Sequence, residues 1–212
     1  NAGNVSTLDL PVVIYNLVIN APAVSNNPFS PNADSQKDDT TISCFITGTS
    51  DYTITVKNPS AQVVKTFTGH SVSGNVSRIW DGKNESGVVQ PDGTYTYYIS
   101  ATDGVSTAAT VSGTVDLDNT APPASITAPL SGASLSGIVP IKGLVTDAHP
   151  AWPVGRLYYG QGAIPTQWTN IQNFYPPVVK DSEGNVPTLV SWDTTTLANG
   201  SYVIRWQGYD NA

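Results

Sequence analysis

With 18 glycines and 16 prolines in 212 residues, the chain is interrupted too often for long helices. Glycine costs backbone entropy inside a helix, and proline removes a donor and clashes with the preceding turn. Between these interruptions no stretch sustains an apolar spacing of three to four residues. Many stretches instead alternate apolar with polar residues, or concentrate β-branched and aromatic ones. The pattern predicts strands over Thr40 to Gly48, Tyr52 to Lys57, Val63 to Thr68, Val76 to Trp80, Thr94 to Ala101 and Ala108 to Val115. A second series runs through Ala124 to Thr127, Ile138 to Val145, Gly155 to Tyr159, Gln167 to Ile171, Leu189 to Trp192 and Ser201 to Gly208. The fold class expected is all-β, as two β-sandwich domains in tandem.

The two series end alike. Asp92-Gly-Thr-Tyr-Thr-Tyr-Tyr-Ile-Ser-Ala-Thr-Asp103 matches Asn199-Gly-Ser-Tyr-Val-Ile-Arg-Trp-Gln-Gly-Tyr-Asp210 in its turn, its tyrosine and its terminal acid. Such self-similarity marks an internal repeat. Between the series lies Asp116-Leu-Asp-Asn-Thr-Ala-Pro-Pro123, whose prolines favour a stiff, extended connector. We therefore expect a first domain over residues 17–117 and a second, lacking its last strand, over 118–212.

The opening residues resemble that missing strand. Gly3-Asn-Val-Ser-Thr7 would continue Asp210-Asn-Ala212 much as Gly104-Val-Ser-Thr107 continues Asp103, and Asn1-Ala2 repeats Asn211-Ala212. One expectation is that residues 1–16 form the closing strand of a preceding domain, with Thr7, Leu8, Leu10, Val12, Val13, Ile14 and Tyr15 pairing to the edge of a neighbouring copy, by covalent continuity or strand donation. The other is that this stretch packs on its own chain as a first strand.

Charged residues make up 12% of the chain and the net charge is -7. That balance repels phosphate backbones and anionic lipid heads and attracts divalent cations, so no nucleic acid is expected as a partner. The longest apolar run, Leu10 to Ile19, is broken by Asn16 and too short for a bilayer, so no membrane insertion is expected of this segment. The chain does not begin with Met and shows no basic region before an apolar stretch, so any signal peptide is expected outside it. The lone Cys44 alternates with Ile42 and Ile46, which places it on an apolar strand face as a core thiol and excludes an internal disulfide.

Pro28-Phe-Ser-Pro-Asn-Ala-Asp34, Asp38-Asp-Thr-Thr-Ile42, Trp80-Asp-Gly-Lys-Asn-Glu-Ser-Gly87 and Pro91-Asp-Gly-Thr-Tyr-Thr-Tyr97 resemble the flagellar hook-capping type of immunoglobulin-like domain. The second half, with Asp118-Asn-Thr-Ala-Pro-Pro123, Leu157-Tyr-Tyr-Gly-Gln-Gly162, Trp168 and Trp192-Asp-Thr-Thr-Thr-Leu-Ala-Asn-Gly-Ser-Tyr202, looks like the immunoglobulin-like repeats of large exported bacterial proteins. The resemblance implies two immunoglobulin-like sandwiches and an extracellular or cell-surface bacterial address. Fold transfers by such a likeness and activity does not.

Candidate chemistry is sparse. Asn32, Asp34, Gln36, Asp38 and Asp39 offer oxygens at nearly alternate positions, a pattern that suits calcium, although Lys37 intrudes and the loops resembled carry glycines where Ala33 and Ser35 stand. Asp116 and Asp118, joined by Asp103 or Asp147, form a second candidate for calcium; solvated linker charge is the alternative. His70 and His149 sit in turn-like contexts beside no nucleophile or zinc-spaced partner, and Asp81, Glu85, Asp92 and Glu183 adjoin turn residues, so no enzyme is expected. Trp152, Tyr158, Tyr159 and Trp168 would make a sugar-stacking platform, which names polysaccharide as an alternative ligand. Trp80, Trp192 and Trp206 are expected in the cores. The function expected is that of a structural or adhesive extracellular repeat protein, a stalk or filament whose partners are copies of itself or neighbouring domains. The alternative is a carbohydrate-binding or accessory module of a secreted hydrolase.

Overall fold

A computed structural model describes residues 3, 6–11, 16–175 and 177–212; of Trp152 it describes the backbone alone. The described residues form eleven strands and no helix. They divide into two compact units, one comprising Asn1–Asn26 with Asp39–Val115, the other Asn27–Asp38 with Asp116–Ala212. The loop at 27–38, assigned by sequence to the first domain, thus groups with the second. The Phe29 backbone explains this, since its N–H donates to the Asp116 carbonyl and its carbonyl accepts from the Asp118 N–H.

The first unit is built from β1 (Ile19–Val24), β2 (Thr40–Lys57), β3 (Val63–Trp80), β4 (Gly93–Thr102) and β5 (Val111–Leu117), the last running across the division. Strand order is β1-β2-β4-β5, with β3 also on β2. Burial alternates along β2 almost without fault, which is the sandwich pattern of one face in and one face out. Its first half pairs with β1 (Ile46 opposite Ile19) and its second half with β4 (Ile54 opposite Ile99), so a single strand serves both ends of the layer.

Two differences from the sequence-based strands share a cause. The segments Thr40 to Gly48 and Tyr52 to Lys57 are one continuous strand, as are Val63 to Thr68 and Val76 to Trp80. Around Gly48 and Gly74 the chain forms no turn. It stays extended, and the register slips between Ile46 and Thr49 opposite Ser73 and Gly74, both at positive φ. A bulge absorbs the extra residues that looked like a break. The core beneath contains Ile42, Cys44, Ile46, Ile54, Trp80 and Tyr95, all buried. Burial pushes the Cys44 thiol pKa up, so the group stays an inert thiol.

The second unit is a sandwich of two three-stranded sheets, β10-β7-β6 and β11-β8-β9. Its strands are β6 (Ala124–Ala128), β7 (Ile138–Val145), β8 (Pro150–Gln161), β9 (Thr169–Phe174), β10 (Thr188–Asp193) and β11 (Tyr202–Asp210). Both sheets contribute to one core cluster that includes Ile141, Val145, Leu157, Leu189, Trp192 and Trp206. Trp206 meets Phe174 edge-on at 4.7 Å, and its indole N–H donates to the Leu144 carbonyl at 2.8 Å. A tryptophan of this kind removes about 200 Å² from water, worth about 5 kcal/mol before ordering costs. Gly155 is required beneath it, because a Cβ there would meet the indole ring at 2.9 Å.

Candidate functional site

The repeated motif is a tyrosine corner in both units. Asp92-Gly and Asn199-Gly lead into a strand with a tyrosine near its start, Tyr95 in β4 and Tyr202 in β11, and each hydroxyl reaches back four residues. Tyr95 Oη donates to the Pro91 carbonyl at 2.7 Å, and Tyr202 Oη to the Ala198 carbonyl at 3.0 Å. This device makes β4 and β11 equivalent strands, and it exposes how they differ. In the sheet order β4 lies between β2 and β5, whereas β11 pairs with β8 and stands at the sheet edge among the described residues.

The pairing to β8 runs from Tyr202 opposite Gln161 to Gly208 opposite Gly155 and, after a register shift, ends at Asp210 opposite Pro150. It leaves the other side of β11 as a row of backbone donors and acceptors, the usual template for a further strand. Inward, Tyr202, Ile204 and Trp206 pack on the core. Outward, Arg205 lies over the Trp168 ring at 3.6 Å and Arg156 over the Tyr209 ring at 5.0 Å. Burial opposes ionisation of Tyr158, but hydrogen bonds with Tyr209 and Arg156 hold its hydroxyl below the ordinary tyrosine pKa.

The residues expected to donate a strand are partly in view. Thr7, Leu8 and Leu10 lie outside any strand, with Leu8 91% and Leu10 76% exposed. Val12, Val13, Ile14 and Tyr15 lie outside the described residues. Of the sugar platform, Tyr158 and Trp168 are half-buried in the β8–β9 sheet region, and the Trp168 ring is covered by Arg205. Tyr159 turns to the opposite face and packs against Trp192 at 5.3 Å in the core. The Trp152 side chain lies outside the described residues.

In the loop proposed for calcium, the oxygens face the loop's own backbone. Asp38 accepts from the N–H groups of Ala33 and Ser35, Asp34 from that of Gln36, and Asn32 from that of Asp34. Ala33, Ser35 and Lys37 all hold positive φ, the region that favours glycine. Gln36 contributes its backbone N–H to this web, and the Asp39 carbonyl accepts from the Asn26 side chain at 2.7 Å.

The histidines are placed differently from the turn-like reading. His70 lies within β3 and faces Asp51 across the β2–β3 pair, exposed, at 2.8 Å. His149 is no free loop residue, for it is partly buried between Asp116 and Asp118. Its local Ala-His-Pro context is a bend that enters β8 at Pro150; the nearer carboxylate, Asp118, comes from a segment 31 residues earlier, which no local pattern announces.

Strand order, paired layers and tyrosine corners define the class: immunoglobulin-like β-sandwich modules. Within it, residues 30–105 match the family model of the FlgD Ig-like domain, a family of non-catalytic structural domains. No curated protein matches the chain.

Proposed function

We propose that the chain is a structural module of an extracellular bacterial stalk or filament, in which units are joined by strand pairing at the β11 edge. The observation that carries this reading is the contrast between equivalent strands, β4 paired on both sides and β11, among the described residues, on one. The strand that completes β11 is the Thr7 to Tyr15 stretch of a neighbouring unit, in the same polypeptide or a second copy. Its Leu8 and Leu10 are exposed, and alternate leucines suit a strand that buries one face. The matched family fits a structural role rather than a catalytic one.

A second reading, polysaccharide binding, draws on the outward aromatic and arginine face of the β11-β8-β9 sheet. It is the weaker of the two, since Arg205 covers the Trp168 ring that a sugar would stack on and Tyr159 belongs to the core.

The experiment is sedimentation and electron microscopy of the chain beside its L8K/L10K variant, with a cysteine trap between position 10 and Gln207 in a Cys44→Ala background. Concentration-dependent oligomers that the lysines abolish, and an intermolecular disulfide between copies, are the expected results. A monomer at all concentrations with no trapped pair would sink strand donation between copies.

A further inference from the structure

One end of the second unit gathers carboxylates around a histidine. Asp116 and Asp118 come from the segment before β6, Asp147 and His149 from the connection between β7 and β8, and Asp210 from the end of β11. The ligand-capable atoms of Asp118, Asp147 and His149 all lie within 4.8 Å of one another. His149 Nδ1 is 2.7 Å from Asp118 Oδ2, and its Nε2 is 3.4 Å from Asp116 Oδ2. Backbone groups hold the set in place: the Thr120 N–H donates to Asp118 Oδ1 at 3.1 Å, the His149 N–H to Asp147 Oδ1 at 2.7 Å, and the Asn211 N–H to the His149 carbonyl at 2.8 Å.

The charge balance of this end is unusual. The Asp118 side chain is only 7% exposed and is paired to His149, while Asp116, Asp147 and Asp210 add further carboxylates at the same end. Lys37, the lysine that faces this end, is engaged by the carbonyl and side chain of Asn211.

We propose that Asp118, Asp147 and His149 bind one first-row divalent metal ion, zinc being the best match, with Asp116 holding the imidazole in its ligating tautomer. Two carboxylate oxygens and one imidazole nitrogen are the wrong set for calcium or magnesium, which take oxygen ligands in larger number, and a right one for zinc or cobalt. Nδ1 faces Asp118 while Nε2 faces Asp116, the carboxylate–histidine–metal arrangement that fixes ring orientation. Tetrahedral zinc with bonds of about 2.0–2.2 Å needs ligand atoms about 3.4 Å apart. That spacing falls between the 2.7 Å of the His149–Asp118 pair and the 4.8 Å limit of the cluster, so side-chain adjustments suffice. Three protein ligands leave a fourth position for water. The ion would tie the segment before β6 to the β7–β8 connection, whose backbone holds the end of β11 through Asn211. Edge pairing at β11 does not depend on this site.

The test is titration of the full, EDTA-stripped chain with Zn²⁺, with Co²⁺ as the spectroscopic probe and Ca²⁺ as the competitor. Expected are one ion per chain with a dissociation constant in the micromolar range or tighter, tetrahedral Co²⁺ bands, and a melting midpoint about 10 °C higher at a hundredfold excess over that constant. H149Q and D147N should each weaken binding at least tenfold, and D116N by about 10–100-fold. H70Q should leave it intact. Circular dichroism would verify that each variant folds, and the Co²⁺ spectrum of the unaltered chain stands apart from all of them. The proposal falls if no saturable site appears, if H149Q keeps the full affinity, or if Ca²⁺ fills the site and Zn²⁺ does not.

Discussion

Replacing Tyr95 by Phe removes one oxygen from a ring that is 1% exposed and otherwise keeps its packing against Trp80, 5.0 Å away. The lost hydroxyl donates to the Pro91 carbonyl at 2.7 Å, and no solvent replaces it readily there. Leaving such an acceptor unmatched costs about 1–3 kcal/mol, so about 2 kcal/mol is expected. The same change at Tyr202 removes a 3.0 Å bond in an exposed setting, where water can take the donor's place, and about 0.5 kcal/mol is expected. One chemical edit at two equivalent corners thus predicts a fourfold difference set by burial alone. Urea unfolding read by hydrogen–deuterium exchange mass spectrometry would resolve the two units by peptide. With a urea dependence of about 1.5 kcal/mol per molar, Y95F should lower the first unit's midpoint by about 1.3 M and Y202F the second's by about 0.3 M. Equal costs, or a larger one at Tyr202, would refute the reasoning. A Y95F cost below 0.5 kcal/mol would show that the corner holds the turn by packing rather than by its hydrogen bond.

Trp206→Ala should destabilise the second unit by about 3–5 kcal/mol, read as faster exchange across its core strands, while exchange in the first unit is unchanged. Gly113→Ala would drive a Cβ into the Tyr97 ring, so a loss of about 1–3 kcal/mol is expected by thermal melting. Most of that loss should be recovered in a G113A/Y97L double variant, and no recovery would place the strain in the backbone instead. L8K/L10K should leave the melting of isolated monomers within about 0.5 kcal/mol of the parent, since both leucines are exposed there, and act on association alone.

The sequence revealed most where one strand's own pattern was sufficient. β2 alternates in burial as its residues alternate in polarity, and Trp80, Trp192 and Trp206 fill the cores, as apolar positions flanked by polar ones predict. It revealed less where long-range pairing overrode a local signal. Gly48 and Gly74 read as breaks but sit in a paired bulge. β1 escaped notice because Ala21 at positive φ and Pro22 interrupt its alternation, and its register to β2 shifts between Asn20 and Ala23. The loop carrying Phe29 gave no sign that it pairs near residue 117. His149 shows the same limit at the level of chemistry, because its carboxylate partners lie across a strand pair from it and only the fold brings them together.

The repeat is what gives the β11 edge its meaning. An edge strand in isolation is unremarkable, since every open sheet has two, and proteins that must keep one bare blunt it with proline, inward charge or a short, twisted strand. β11 has no proline, its inward residues Tyr202, Ile204 and Trp206 are apolar, and its one cationic side chain, Arg205, is laid on Trp168. Its counterpart β4, built from the same turn and the same tyrosine, has β5 in the corresponding place. A strand that repeats the turn and tyrosine of a doubly paired one, and carries neither proline nor inward charge, is suited to receive a partner over Tyr202 to Gln207, ahead of the register shift that follows Gly208. On the proposed function, it is the backbone of this edge that takes the incoming strand.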